Sequence, residues 1–96
     1  MKKTGIELIA EERQEQIEKH DRTIENDVII NQHQELSVVA STLAYPYHYA
    51  EDFDDYPENW DKDALAKMIQ KPRIERLVIA GALIAAEIDR LQAIED

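Results

Sequence analysis

Residues 77–86 read Leu-Val-Ile-Ala-Gly-Ala-Leu-Ile-Ala-Ala and form the longest uncharged, apolar run of the chain. Pro72 suits the first turn of a helix, so we predict one helix from there to about Ala93. Within the run this helix is apolar on every side, as in helices that are central to a bundle or shared with a partner. A chain of 96 residues is too short to surround it fully. We therefore predict a homo-oligomer built on residues 77–86 or a central position in a bundle, with Gly81 at a close helix crossing.

Two sides of this helix are distinguished by the spacing of their residues. At about 100° per residue, one side holds Leu77, Gly81, Ile84 and Ile88, and the other holds Ile79, Leu83 and Ala86. Leaving Ile79 and Leu83 in water would forgo roughly 1.5 to 3 kcal/mol for each side chain. We therefore expect a subunit interface or other helices to cover this pair.

The N-terminal half is predicted to form two amphipathic helices. Thr4-Gly-Ile-Glu7 has the spacing of a capping box, so the first helix is expected from Thr4 to about His20. The second is expected over residues 28–44, after a polar connection at residues 21–27. The inward side chains are predicted to be Ile6, Ala10, Arg13, Ile17 and His20 in the first helix, and Ile29, His33, Leu36, Ala40 and Leu43 in the second.

Residues 45–60 differ in composition from the rest, because they hold all six aromatic side chains of the chain. Two prolines and many acids argue against a regular element, so we predict an irregular excursion there. Asp61 or Asp63 is expected to cap a short third helix that ends near Gln70. The expected fold is all-α, a single domain over residues 1–96 with three to four helices and this aromatic and acidic excursion between helices 2 and 3.

Composition and charge limit the classes of function. The chain has no cysteine, which excludes disulfides and thiolate metal sites and suits a reducing compartment. No secretion signal is evident at the N-terminus, and the longest apolar run is about half a bilayer span, so we expect a cytoplasmic protein outside the membrane. The net charge of −10 repels nucleic-acid backbones. The acids concentrated in residues 51–63 would attract a cation or a basic host protein instead.

Acids near the predicted inward faces are candidate metal ligands. Carboxylate oxygens suit hard cations such as Mg²⁺, which can activate water or hold phosphates. The alternatives are that these acids solvate the surface, or that one of them pairs with a buried Arg13. The candidate metal ligands are Glu12, Asp27, Glu35 and Glu87, and the candidate partners of Arg13 are Glu35, Glu87 and Asp89.

Four residues are candidate ligand contacts: Arg13, Glu35, Trp60 and Arg76. The guanidinium of Arg13 could meet a phosphate or a carboxylate through two hydrogen bonds. The aromatic rings around Trp60 could stack on a nucleobase, with Arg76 balancing the phosphates. The structural alternatives are an ion pair at Arg13 that fixes the helix register, and an aromatic cluster that covers the helix ends.

Five strings occur in a characteristic order: Glu12-Arg-Gln-Glu-Gln-Ile17, Gln34-Glu-Leu36, Trp60, Lys71-Pro72 and Arg76-Leu-Val-Ile-Ala-Gly-Ala-Leu-Ile-Ala-Ala-Glu-Ile-Asp-Arg90. Together they resemble a family of small uncharacterised proteins of tailed phages and prophages, over nearly the whole chain. Members usually carry a His-Asp-Asp triplet before the Glu-Leu pair and a lysine within the Leu-Val string. This chain has Asn26-Asp27-Val28 and Ile79 at those places, so it departs from the family at two polar positions.

The helical carboxylates Glu12, Glu35 and Glu87 are also loosely similar to those of MazG-like all-α nucleoside triphosphate pyrophosphohydrolases, which are oligomeric and Mg²⁺-dependent. Those enzymes pair an E-x-x-E helix with an E-x-x-D helix. Here Glu87 and Asp89 are two positions apart and point about 200° from each other, so they do not reproduce that clamp.

Three functions fit these observations. We favour a homo-oligomeric nucleotide-binding or regulatory protein, for example a phage factor that sequesters a signalling nucleotide or contacts a host protein. One alternative is a Mg²⁺-dependent nucleotide pyrophosphohydrolase of the MazG-like kind. The other is an acidic interaction module that mimics a polyanion toward a basic host protein.

Overall fold

The computed structural model describes residues 2–20, 23–31, 34–45 and 60–95. In these ranges the chain forms helices and no β-strand, which confirms the predicted all-α class. The helices are α1 (Gly5–His20), α2 (Ile24–Ile30), α3 (Glu35–Ala44), α4 (Lys62–Ile69) and α5 (Arg73–Glu95). Within the same ranges, no helix combines the length and the apolar character that a bilayer span requires.

Helix α5 is the centre of the fold. It is 23 residues long and packs against α1, α2 and α3, while α3 also contacts α4. Because α5 supplies one wall of the core along most of its length, the positions of the other helices are defined by their contacts with it. The buried apolar core consists of Leu36, Val39, Ala40, Leu43, Trp60, Leu65, Ile69, Ile79, Ala80, Leu83 and Ala86.

Side-chain caps set the starts of two helices as the sequence predicts. In α1 the backbone N–H of Glu7 donates to Thr4 Oγ1 at 3.2 Å, and the backbone N–H of Thr4 donates to Glu7 Oε1 at 3.1 Å. Asp61 begins α4 by accepting a hydrogen bond from the backbone N–H of Asp63 at 2.9 Å. These bonds satisfy amide groups that have no partner inside the helix.

The predicted second helix, residues 28–44, is wrong in its bounds because the chain forms two helices there. The first begins inside the predicted connection at residues 21–27, where Thr23 accepts a hydrogen bond from the backbone N–H of Asn26. Before the second, Gln34 has a φ of 66°, in the left-handed region that a continuous helix cannot contain. The apolar pattern continues through the break because both helices pack on α5.

The inward side chains of this region are partly as predicted. On α3, Leu36, Ala40 and Leu43 are buried, whereas Ile29 on α2 is 69% exposed and was wrongly placed inward. His33 lies outside the described residues, as do residues 46–59 of the predicted aromatic excursion. Because the chain breaks between α2 and α3, the inward face of α2 does not continue the inward face of α3, as it would in one helix. The prediction assumed one helix, so it placed only the α3 residues correctly.

The inward face of α1 is rotated from the predicted one. Ile6 and Ala10 are exposed, whereas Arg13 is buried as expected and Gln16 is buried without having been predicted. Ile9 contacts α5 in place of Ile6, a displacement of roughly 60° around the helix. The prediction followed the apolar residues, but the buried face of α1 includes Arg13, which pairs with Asp89 on α5, and Gln16, which bonds to Glu12 of its own helix.

Gly81 lies at a close crossing of α1 and α5, as predicted. A Cβ atom added at Gly81 would lie 2.5 Å from Ile9 Cδ1 and 2.9 Å from Ile9 Cγ1. Ile79 and Leu83, which we expected to need a partner or a bundle around them, are covered within the chain. These two side chains are therefore covered by the bundle and are not available for a subunit interface. The exposed apolar side chains of α5, such as Leu77 and Ile84, lie on the opposite side of the helix.

We predict that Gly81→Ala lowers the free energy of unfolding by about 1 to 2 kcal/mol, because the new methyl group overpacks against Ile9. Urea denaturation measures the change. Ile9→Val, which removes the Cδ1 atom, should recover part of the loss in the double variant. Gly5→Ala is the matched control, since no atom lies within 4 Å of its added Cβ. Equal stability of the two alanine variants would contradict the close crossing.

The capping box predicts a pH effect at the start of α1. Hydrogen bonds from the Thr4 backbone, and then from its hydroxyl, lower the pKa of Glu7 below its ordinary value. A lowered folded-state pKa means that the stabilisation is complete above the unfolded-state pKa and is lost as pH falls through the folded-state pKa. Thr4→Ala should therefore raise the pKa of Glu7 toward its ordinary value, as measured by NMR titration. An unchanged Glu7 titration would show that the box does not persist in solution.

Candidate functional site

A pocket of about 270 Å³ opens where α1, α4 and α5 meet. Its volume is near the lower end of the range of small-molecule sites, which begins at about 300 Å³. Apolar side chains and charged side chains share its wall, so it offers both shape and polarity to a ligand. The lining residues are Glu12, Glu15, Gln16, Trp60, Ala64, Lys67, Met68, Lys71, Ile79 and Leu83.

Helix α4 and the turn after it supply the basic side of the pocket. Ala64, Lys67, Met68 and Lys71 follow each other at intervals of three, one and three residues, which places them on one side of a helical turn. Lys71 lies 4.0 Å from Glu75, whereas Lys67 takes part in no ion pair within the described residues. Lys67 is therefore the cation of this pocket that is available to an anionic ligand.

Helix α1 supplies the acidic and amide side of the pocket. Gln16 Nε2 donates to Glu12 Oε2 at 3.3 Å, and Gln16 itself is only 3% exposed. Its Oε1 atom is buried and has no hydrogen-bond partner in the described part of the chain. A buried acceptor without a donor costs about 1 to 3 kcal/mol, and such atoms are uncommon in folded proteins. Gln16 therefore combines one hydrogen-bonded amide nitrogen with one buried, unsatisfied oxygen.

Trp60 joins the pocket to a buried polar network. Its indole Nε1 donates to Asn31 Oδ1 at 3.0 Å, and Asn31 Nδ2 donates to Asp27 Oδ1 at 2.8 Å. All three side chains are buried. Because these bonds fix the indole by its polar edge, the ring of Trp60 is held in place at the pocket wall.

A buried ion pair between Arg90 and Glu87 lies at the other end of this network. Arg90 Nε donates to Glu87 Oε1 at 2.5 Å, and Arg90 Nη2 donates to Glu87 Oε2 at 3.2 Å. Ser37 Oγ on α3 also donates to Glu87 Oε2, at 3.2 Å. The pair is thus bidentate, almost wholly excluded from solvent, and bonded to a neighbouring helix.

Two further carboxylates act on the same guanidinium. The pKa of Arg90 is raised above its ordinary value, first by the hydrogen bond to Glu87 and then by the charges of Glu87, Glu35 and Asp27, against the opposing effect of burial. Glu35 begins α3 and Asp27 lies in α2, so the charges of acids from three helices favour the same buried cation. This cluster of Arg90, Glu87, Glu35 and Asp27 is called the Arg90 cluster below.

The four acids proposed as metal ligands are thus divided between two places. Glu12 lines the pocket, whereas Asp27, Glu35 and Glu87 belong to the Arg90 cluster. Across the described ranges, no group of three or more histidine, aspartate and glutamate side chains is arranged to hold a metal ion. Of the three inner carboxylates, Glu87 pairs with the guanidinium of Arg90, which sequence analysis did not include among the site residues.

The four candidate ligand contacts are also divided. Trp60 lines the pocket, but Arg13, Glu35 and Arg76 are not among its lining residues. Arg13 Nη2 donates to Asp89 Oδ2 at 3.3 Å, one of the partners that we expected. Arg76 is buried and donates from Nε to the Lys71 carbonyl at 3.1 Å. Contacts of Arg13, Glu35 and Arg76 with a ligand stay predictions, which this geometry does not favour.

Sequence reasoning missed the residues that complete the pocket and the cluster. Lys67 and Lys71 are four positions apart on a short helix, and that spacing was the available signal for a basic wall. Glu87 and Arg90 are three apart, a spacing that also occurs in exposed pairs. The apolar residues that precede Glu87 and Arg90 in α5 were the signal that this pair is buried, because the core that they form excludes water.

Comparison of the chain with protein-family models, with curated proteins and with solved structures gives no match. The resemblances to phage proteins and to MazG-like hydrolases therefore stay predictions, and functional inference rests on the geometry of the pocket and of the Arg90 cluster.

We predict that Arg90→Gln lowers the free energy of unfolding by about 3 to 5 kcal/mol, because it leaves buried carboxylates without their cation. Arg90→Lys should cost less, since it keeps the charge but loses the bidentate geometry. Chemical denaturation measures both. Lys19→Gln is the control, because Lys19 is 70% exposed and changes at such positions cost about 0.5 kcal/mol or less. A loss under 1 kcal/mol for Arg90→Gln would mean that the cluster is hydrated in solution.

Proposed function

We propose that this protein is a homo-oligomeric nucleotide-binding protein with a regulatory rather than a catalytic role, and that the pocket between α1, α4 and α5 is its ligand site. The observation that carries the proposal is that one pocket is lined both by Lys67, which has no carboxylate partner in the described ranges, and by Trp60, which is fixed by a hydrogen bond. Each of these groups matches one part of a nucleotide.

The ring of a nucleobase suits the apolar part of the pocket. Trp60, Met68, Ile79 and Leu83 give it a dry, partly aromatic wall, and stacking on an aromatic ring is worth about 1 to 3 kcal/mol per base. The volume fits one ring system rather than a longer chain of nucleotides.

The phosphates of the ligand suit the basic edge of the pocket. Lys67 and Lys71 lie on the α4 side, and Lys67 is the cation without a carboxylate partner in the described ranges. Glu12 and Glu15 face the pocket from α1 and oppose a bare anion. A nucleotide that carries Mg²⁺ would meet both sets of charges, since carboxylate and phosphate oxygens are the ligands that this ion prefers.

The catalytic alternative has less support from the positions of the acids. Hydrolysis by a MazG-like route needs carboxylates that are available to Mg²⁺, whereas Glu87, Glu35 and Asp27 neutralise a buried arginine. The polyanion-mimic alternative depends on residues 51–63, most of which lie outside the described ranges. No described contact favours either alternative over ligand binding.

We expect nucleotides to change the fluorescence of Trp60, which is the only tryptophan of the chain. A panel of mono-, di- and cyclic nucleotides, each with and without Mg²⁺, should contain members that quench or shift this emission and raise the melting temperature by mass action. Lys67→Gln should weaken binding about tenfold, as expected for the loss of one charge-assisted hydrogen bond. Release of pyrophosphate or phosphate from the bound nucleotide would support the catalytic alternative instead.

Lys2→Gln is the matched control for Lys67→Gln, because it removes the same charge at an exposed position that does not line the pocket. Equal weakening by both variants would indicate non-specific attraction of the ligand rather than a site. A panel in which no nucleotide alters fluorescence or melting temperature, with or without Mg²⁺, would overturn the proposed function.

A further inference from the structure

Helix α5 carries an exposed apolar stripe on the side that faces away from the core. Leu77, Ile84, Ile88 and Leu91 are between 40% and 51% exposed, and they fall within about 60° of each other around the helix. Their separation from first to last is about 21 Å along the axis. An apolar stripe of this length on a protein of net charge −10 marks a contact surface rather than a solvated face.

The stripe has an unusual symmetry in the sequence. Leu77 and Leu91 are each seven residues from Ile84, on opposite sides of it. Arg73 and Glu95 are each eleven residues from Ile84, and both lie close to the same face of the helix. Leu77, Ile84 and Leu91 are therefore symmetric about Ile84, whereas the counterpart of Ile88 is Ala80, which is buried. The stripe ends in opposite charges, at Arg73 and Glu95.

We propose that the stripe is the interface with a second copy of this chain, in which two α5 helices pack antiparallel across a two-fold axis at Ile84. In this arrangement Leu77 of each copy meets the partner's Leu91, and Ile84 meets the partner's Ile84. A two-fold interface requires such self-complementarity, because the same surface occurs on both sides. The inference rests on the self-association included in the proposed function but not on the ligand pocket.

The charges at the ends of the stripe favour the antiparallel arrangement. Arg73 of one copy would lie against the partner's Glu95, and the same pair would form again at the other end. Arg73 Nη1 donates to the Tyr45 carbonyl at 3.0 Å, which leaves other guanidinium donors for a carboxylate. A parallel arrangement would put like charges together at both ends and would align the two helix dipoles unfavourably.

The positions of Leu77, Ile84 and Leu91 and of the two terminal charges identify the occupant of the stripe. A partner of another kind would not require the apolar positions and terminal charges to be symmetric about one residue. The symmetry is therefore the reason to choose a second copy as the occupant.

Disulfide cross-linking tests the position of the axis, since the natural chain has no cysteine. Two cysteines can join only if their Cβ atoms approach to about 3.5–4.5 Å, which at a two-fold axis brings residue 84 opposite itself. Ile84→Cys should form a covalent dimer under mild oxidation at protein concentrations of tens of micromolar. Ile29→Cys is the control, because Ile29 is 69% exposed on α2 and lies outside the stripe.

Light scattering coupled to size exclusion tests the contacts themselves. The natural chain should have twice the monomer mass of 11.1 kDa, and Ile84→Glu should reduce it to the monomer mass, while Ile29→Glu leaves the dimer intact. Arg73→Glu and Glu95→Arg should each weaken the dimer about threefold to tenfold at low salt, and the double variant should restore it. Circular dichroism would confirm that helix content is unchanged.

The outcomes separate this inference from the proposed function. A monomeric natural chain would overturn both the interface and the self-association. An oligomer that survives Ile84→Glu, or that cross-links equally through Ile29→Cys, would overturn the stripe alone. Nucleotide binding is measured separately, through the fluorescence of Trp60, so its outcome does not depend on either result.

Discussion

The burial of one guanidinium, that of Arg90, is the constraint on which the arrangement of the helices depends. Removing this cation from water is costly unless its charge and its hydrogen bonds are satisfied. Glu87 supplies a bidentate partner on the same helix, and Ser37 fixes that partner from α3. The charges of Glu35 on α3 and of Asp27 on α2 also favour the protonated guanidinium, so one buried cation links α2, α3 and α5 electrostatically.

The same constraint reaches the pocket through a short chain of hydrogen bonds. Asp27 accepts from Asn31, and Asn31 accepts from the indole of Trp60. The tryptophan that lines the pocket is therefore held by the network that also balances Arg90. A ligand that moved Trp60 would disturb a buried polar network, and such networks are costly to leave partly satisfied. The geometry thus favours a preformed site, in which the ligand meets a ring already in position.

Local signals in the sequence predict the parts of the fold that depend on neighbouring residues. The Thr4–Glu7 box, the Asp61 cap and the place of Pro72 gave correct helix starts, because each depends on groups within one turn. The break between α2 and α3 was not predictable from periodicity, since both helices bury apolar residues on α5. The pocket and the Arg90 cluster need side chains from three helices, and no spacing along the chain specifies that convergence.

Helix α5 combines two faces that reverse the usual pattern of a surface helix. Its inward face buries Arg76, Glu87 and Arg90 together with apolar residues, whereas its outward face exposes Leu77, Ile84, Ile88 and Leu91. The inward charges are tolerated because each has a partner within the chain. The outward leucines and isoleucines have no comparable compensation, since apolar surface gains stability only when it is removed from water, at about 25 cal/mol for each Å². In the proposed dimer a second α5 covers this face and recovers that free energy, and the symmetric positions of Leu77 and Leu91 about Ile84 match the stripe to a copy of itself.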